Sequence, residues 1–321
     1  MTIKWNKDLK LVVSDVDETV ADLYTAAEPE MITRLTELLD EGIRLFFVTG
    51  QGIKSVQWRI VDQIPKNLRK NILIGHCSGA EVWGFSKDGD PNSEPYYSVY
   101  NLSEEQRTKW RQIVKQLVDE FKLIIYPTMP VQKFLSEAGN NPLAVMLEDR
   151  GPQITFEVVN GYDLTPEQLK NVEITVPLTH DVYDLRIPVL ERADILFEQE
   201  NVPITSRLGG TFAIDFAVKN VSKTTAVRHV LETKTVLDAL GLEADIINHP
   251  EHIEIWGDKF STIRGGTDRH MSEALPKEVR SIDFREENPS EFLPGYNTVV
   301  WDGNRHLHHG LLEYLTARNN S

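Results

Sequence analysis

The chain has 321 residues, 40% of them apolar and 26% charged, and a formal net charge of −15. That length favours two domains over one, with ample core material for a soluble globular protein. No apolar run approaches the ~20 residues of a membrane-spanning helix, and the excess of carboxylates argues against a nucleic-acid-binding surface, which would be basic.

The N-terminal Met-Thr-Ile-Lys-Trp-Asn-Lys lacks the basic-then-apolar layout of a secretory leader, and the single cysteine, Cys77, excludes an intramolecular disulfide. Both features suit a reducing cytoplasm. Against the overall negative field, an anionic substrate must be drawn in by a local positive site or a metal.

In chain order, Leu11, Val12 and Val13 form a continuous β-branched and apolar run that reads as a strand buried on both faces. Residues 28–39 place Met31, Leu35, Leu38 and Leu39 on one helical face, closed by Glu41-Gly42. A second buried strand is expected over 43–48, a helix over 55–61 and a third strand over 71–74. This strand–helix alternation implies a parallel sheet with right-handed crossovers.

The composition changes near Phe85, and the polar, turn-rich stretch 87–94 reads as a domain boundary. Beyond it, Ser103-Glu104-Glu105-Gln106 is a capping box opening a helix over 103–121. Strands are expected over 143–148 and 153–159, joined by the turn Asp149-Arg150-Gly151-Pro152. Helices are expected over 165–172 and within 181–199. Alternation resumes with a strand over 211–218, a helix over 222–231 and a short strand over 253–256. A helix over 269–275, strands over 279–284 and 298–301, and a last helix over 306–316 complete the chain. Residues 1–84 and 208–321 thus read as two parts of one α/β domain, with an α+β unit spliced in over 85–207.

Four features sit at strand ends or helix starts of the outer domain. Asp15 and Asp17 crowd two carboxylates after the first strand, with Thr19 two residues on, and their repulsion is most simply relieved by a divalent cation. Read alone, the same stretch is an acidic, helix-capping turn. Thr49-Gly50 offers a hydroxyl and a flexible backbone to an oxyanion. Lys223 opposes a helix dipole in a first turn, which suggests a nearby anion. Gly257-Asp258 ends a further strand and leads through a glycine-rich loop to Asp268. Ligands in open α/β sheets bind outside the carboxyl ends of the strands, where these residues gather. Elsewhere, His306, His308 and His309 read as a solvated helix start, Cys77 as a packed thiol and the six tryptophans as core or interface residues. The basic residues Lys66, Arg69 and Lys70 are too few for a nucleic-acid patch. No Gly-x-Gly-x-x-Gly follows the first strand, against a dinucleotide-binding oxidoreductase.

These four motifs, in this order, resemble those of the haloacid dehalogenase (HAD) superfamily, in the branch of Cof-type phosphatases, sucrose-phosphate phosphatases and phosphomannomutases with a large inserted cap. Asp15, Asp17 and Thr19 match its first motif, Thr49 its second, Lys223 (rather than Lys219) its third, and Gly257-Asp258 with Gly266-Thr267-Asp268 its fourth. The resemblance covers roughly residues 9–84 and 205–320 and implies a Rossmann-like parallel sheet with helices on both faces, plus an α+β cap that opens and closes. It implies a phosphatase acting on a small phosphorylated metabolite, a sugar phosphate, through an aspartyl-phosphate on Asp15. Mg²⁺ would be held by Asp15, Asp258 and the main-chain carbonyl of Asp17, with Asp268 behind them as an indirect partner. Asp17 would serve as general acid and base, and Thr49, Gly50 and Lys223 would bind the phosphoryl oxygens. Glu18 stands where the branch often has Gly, and the arginine-rich cap pattern of the mutases is absent apart from Arg150. The missing arginines favour a phosphatase over a phosphohexomutase, and the presence of Asp15, Asp17, Thr49, Lys223 and Asp258 disfavours the other alternative, a catalytically silent binding protein. Arg150 and Arg186 are the candidate cap contacts to substrate, and the protein is expected to be a monomer or homodimer.

Overall fold

A computed structural model describes residues 3–162, 184–209, 212–264 and 266–318 of the chain. It divides into two compact units, Met1–Ser98 with Val221–Ser321, and Val99–Asn220. Among the described residues no helix is long and apolar enough to cross a membrane.

The first unit begins with β1 (Leu11–Ser14), a helix over Pro29–Asp40, β2 (Arg44–Val48), a helix over Ile53–Arg59, and β3 (Ile72–His76). Two short strands, β4 (Glu81–Trp83) and β5 (Tyr97–Ser98), follow. The second unit contributes β6 (Ile124–Tyr126), β7 (Ala144–Asp149), β8 (Gln153–Glu157), β9 (Ile204–Gly209) and β10 (Ala213–Val218). The chain then returns to the first unit with a helix over Lys223–Glu232, β11 (Ile253–Gly257), β12 (Arg280–Asp283), β13 (Thr298–Val300) and a helix over Leu307–Ala317.

The first unit holds one sheet in the order β13-β12-β11-β1-β2-β3-β4-β5, parallel from β13 to β3 and antiparallel at β4 and β5. Its central strands β1, β2 and β3 are mostly apolar because both faces are covered. Leu11, Val13, Phe46 and Val48 pack into one buried cluster, while Val12, Leu45 and Phe47 pack into another. Each such side chain removed from water contributes about 1.5–3 kcal/mol. The helix over Pro29–Asp40 turns Met31, Ile32, Leu35, Leu38 and Leu39 into the second of these clusters. From β1 the chain builds outward to β2 and β3 on one side and later to β11, β12 and β13 on the other. The strand order therefore reverses at β1 and β11, where a crevice is expected at their carboxyl ends.

The second unit is built on a mixed sheet in the order β6-β7-β8-β10-β9. The helix over Glu104–Glu120 starts at Ser103 with both bonds of the expected capping box. The expected strand over 211–218 forms, but as β10 it pairs antiparallel with β8 and β9, not with the first sheet. Its apolar residues are buried all along and would read the same in either sheet. The stretch 87–94 likewise joins β4 to β5 within the first sheet. The chain consequently passes between units after Ser98 and after Asn220, in place of the expected boundaries at 84/85 and 207/208. Short elements escaped the periodicity: β4, β5, β6, β9 and the helices over Val131–Ala138 and Lys234–Leu240. The helix expected over 269–275 is a single turn, Arg269–Ser272. The helix expected over 165–172 lies outside the described residues.

One ion pair is buried beside the middle of the first sheet. Glu254 of β11 is fully buried and accepts hydrogen bonds from Trp256 Nε1 (2.6 Å), Tyr314 OH (3.0 Å) and Arg280 Nε (2.7 Å). Burial pushes its carboxyl above the ordinary glutamate range, with Arg280 opposing the rise. Removing the cation leaves a charge with nowhere to go, so Arg280→Met should cost about 3–5 kcal/mol. Urea unfolding checks this, and the double variant Arg280→Met/Glu254→Met should recover part of the loss.

Candidate active site

The register of the first sheet gathers the motif residues at one end. Ser14 lies beside Phe47 of β2 and Trp256 of β11, so Asp15 follows at the edge where Thr49 and Asp258 emerge. The Asp15 N–H donates to the Trp256 carbonyl (2.9 Å), which ties the loop after β1 to β11. That loop closes through Val20 N–H to the Val16 carbonyl (2.8 Å) and turns Glu18 into the left-handed region, at φ +61°. A non-glycine residue there costs on the order of 1 kcal/mol.

Lys223 bridges two of the carboxylates. Its Nζ stands 2.8 Å from Asp15 Oδ1 and 2.8 Å from Asp268 Oδ1, and all three groups are buried. Ser222 caps its helix by accepting the Thr224 N–H (3.1 Å), and Gly79, after β3, lets that helix approach closely. A Cβ at Gly79 (φ +86°) would lie 2.6 Å from Ala226 Cβ. Asp268 reaches back to accept the backbone N–H groups of Asp258 and Lys259, both at 3.0 Å, so it shapes the loop as well as pairing with Lys223. At Gly257 a Cβ would stand 2.7 Å from Asp268 Oδ2, which is why that strand end is glycine.

Asp258 is 1% exposed and accepts from Thr19 Oγ1 (3.4 Å) and from Arg285 Nε (2.9 Å) and Nη2 (2.6 Å). Lys259 Nζ lies 3.8 Å from the same Asp258 Oδ2 and 3.2 Å from Glu18 Oε2, and Arg285 Nη2 also bonds Glu18. Asp17 points elsewhere, forming an ion pair with the fully buried Arg59 at 2.8 Å. Arg59 in turn donates to the carbonyls of Thr25 (2.7 Å) and Asp22 (2.8 Å), pinning the loop that carries both aspartates. The Thr49 backbone is fixed by its N–H to the Gly75 carbonyl (2.9 Å) and by the Ser78 N–H to its own carbonyl (2.7 Å), and Gly50 follows it.

Electrostatics follows from this crowding. The Asp15 carboxyl is pushed up to about 7, chiefly by burial, with Lys223 opposing and Asp268 and Asp17 adding to the rise. Asp258 is likewise held well above the carboxylate range by burial and by Asp268. Asp268 is the exception: burial would raise it, but Lys223 and the Asp258 N–H bring it below the ordinary value. Burial would lower Lys223, yet Asp15 and Asp268 hold it above the lysine range. An oxygen from each of Asp15, Asp258 and Asp268 lies within 4.8 Å of the others, a buried all-oxygen set that fits a hard divalent cation such as Mg²⁺.

Of the site residues expected from sequence, Asp15, Lys223, Asp258 and Asp268 come together, and Thr49 and Gly50 lie at the same sheet edge. The Asp17 side chain is committed to Arg59 and does not join the three clustered carboxylates. Arg150 and Arg186 lie in the second unit. Arg150 is nearly buried and pairs with Glu148 (2.8 Å) and Glu157 (3.7 Å), while Arg186 pairs with Asp184 (2.6 Å) and stacks over Tyr162. Three cations went unread. Lys259 adjoins Asp258 in the motif, and Arg59 follows Val56 by three on a buried helix face, so both left a signal. Arg285 left none, since only the sheet order brings it to Asp258. Cys77 is buried as expected, although a basic neighbour does exist: His76 Nδ1 stands 3.2 Å from its sulfur.

Among solved structures, a trehalose-6-phosphate phosphatase-related protein superposes with a TM-score of 0.52 over 96% of both chains, at 13% identity. The chain shares the fold of that protein, a mostly parallel α/β sheet unit with a separate mixed-sheet unit inserted in its sequence. A HAD phosphatase from Bacteroides thetaiotaomicron aligns at 15% identity over 99% of this chain and 98% of its own, with a TM-score of 0.48. The trehalose-6-phosphate phosphatase of Aspergillus fumigatus aligns at 9% identity over 98% and 94%, with a TM-score of 0.47. No protein-family profile and no curated protein matches the sequence. At the β1 and β11 ends Lys223 is the cation that joins Asp15 to Asp268. Lys223→Met should therefore destabilise the metal-free protein by about 3–5 kcal/mol in urea unfolding, by leaving Asp15 and Asp268 uncompensated.

Proposed function

We propose that the protein is a Mg²⁺-dependent phosphatase that hydrolyses a small phosphorylated metabolite, a sugar phosphate, through an aspartyl-phosphate on Asp15. The observation that carries this reading is the convergence of Asp15, Lys223, Asp258 and Asp268, far apart in sequence, on one buried point at the sheet's reversal. Asp15, Asp258 and Asp268 would hold the metal, which when bound supplies positive charge to offset that of the phosphoryl dianion.

On this reading Asp15 forms a bond to phosphorus as the bond to the substrate's leaving oxygen breaks. Asp17 donates a proton to that oxygen as general acid. Asp17 then takes a proton from water, whose oxygen attacks phosphorus, and the Asp15–phosphoryl bond breaks to release phosphate. Arg59, in its ion pair with Asp17, would orient the carboxylate for both transfers. Lys223, the Thr49 hydroxyl and the Gly50 backbone would bind phosphoryl oxygens, Lys223 also turning Asp15 toward its target. Arg150 and Arg186 are proposed as contacts to the remainder of the substrate.

Hydrolysis of p-nitrophenyl phosphate in Mg²⁺ tests the reading. Asp15→Asn should reduce turnover by at least about 10³-fold, a loss of roughly 4 kcal/mol of transition-state stabilisation, with the fold intact by circular dichroism. Wild-type turnover should vanish on chelation of the metal. Wild-type inactivity across a panel of phosphorylated metabolites, or an Asp15→Asn variant that keeps activity, would contradict it.

A further inference from the structure

Asp258 Oδ2 carries two hydrogen bonds from a single guanidinium. Arg285 places Nε (2.9 Å) and Nη2 (2.6 Å) on this one oxygen, and its Nε also lies 3.2 Å from the Asp258 carbonyl. The other carboxylate oxygen, Oδ1, accepts from Thr19. A cation at the Asp15–Asp258–Asp268 cluster needs an oxygen of Asp258 and so meets a guanidinium on the same carboxylate. Two cations on one buried carboxylate repel, and the guanidinium is the one with somewhere else to go. Arg285 Nη2 already touches Glu18, so a small movement transfers the fork from Asp258 to Glu18. Glu18 is held at φ +61°, where a side chain is disfavoured, and its carboxylate is steadied by Lys259 at 3.2 Å. Arg285 is anchored through its own N–H to Asp283 Oδ1 (3.0 Å) and is about one-third exposed, which leaves its head group room to move.

We infer that Arg285 is a resident counter-ion that clamps Asp258 while the metal is absent and passes to Glu18 when the metal binds, so that the Arg285–Glu18 pair sets metal affinity. This rests on the metal site proposed above. The clamp keeps a buried carboxylate compensated in the metal-free protein, and it weakens metal binding because it must be displaced. Glu18 offsets part of that penalty by receiving the displaced guanidinium.

Isothermal titration calorimetry of Mg²⁺ into the metal-free full-length protein separates this exchange from a general field effect. Arg285→Lys keeps the charge but loses the two-pronged grip, and it should bind Mg²⁺ about five- to tenfold more tightly than wild type, within the usual range of coupling between two sites. Arg285→Gln should bind more tightly still. Glu18→Gln removes the landing site and should bind several-fold more weakly. It also keeps the test open should the Arg285 variants fail to fold. Arg285→Lys binding no more tightly than wild type would overturn the inference, as would unchanged affinity in Glu18→Gln. Absence of Mg²⁺ binding in wild type and in every variant would instead remove the metal site itself.

Discussion

Charge compensation at a single sheet edge is the constraint around which this chain is built. Asp15, Asp258, Asp268 and Glu18 crowd the carboxyl ends of β1 and β11, and Lys223, Lys259 and Arg285 are the cations that face them. Buried carboxylates cannot remain ionised without partners. Each cation arrives from a different part of the chain: a helix start, the loop after β11 and the loop after β12. Assembly of the site and completion of the sheet are therefore the same event.

Among these groups the carboxylates outnumber the cations by one, an imbalance a bound divalent ion would offset. A molecule with a net charge of −15 has no long-range attraction for phosphate esters. On the proposed function, the attraction would be local and would come from the cluster once a divalent ion tips its charge. Asp17 stands apart, paired with Arg59, so that two carboxylates two residues apart meet different neighbours and can take different roles.

Much of this was legible in the residues. The buried strands, the crossover helices and the order of Asp15, Thr49, Lys223 and Asp258 follow from periodicity and from residue types at strand ends. What escaped reading depended on tertiary context. The run at Ala213–Val218 is buried on both faces and apolar but for Asp215, so only pairing with β8 and β9 assigns it to the second unit. The two- and three-residue strands β4 and β5 are too short for a period to show. Arg285 is an ordinary polar residue in sequence, and it acquires meaning only because β12 pairs with β11 in a register that sets Asp283 beside Gly257. Glu18, a charged residue held in the left-handed region, pairs there with Lys259 and Arg285.

The claim on which the whole account depends is that Asp15 and Asp258 share one divalent ion. Crystals grown without metal and soaked in Mn²⁺ test it directly through anomalous scattering. The account predicts a peak within coordination distance of an oxygen from each of these two carboxylates. A peak only at the surface group of Glu28, His308 and His309, or none, with Asp15 and Asp258 bound solely to Lys223 and Arg285, would contradict it.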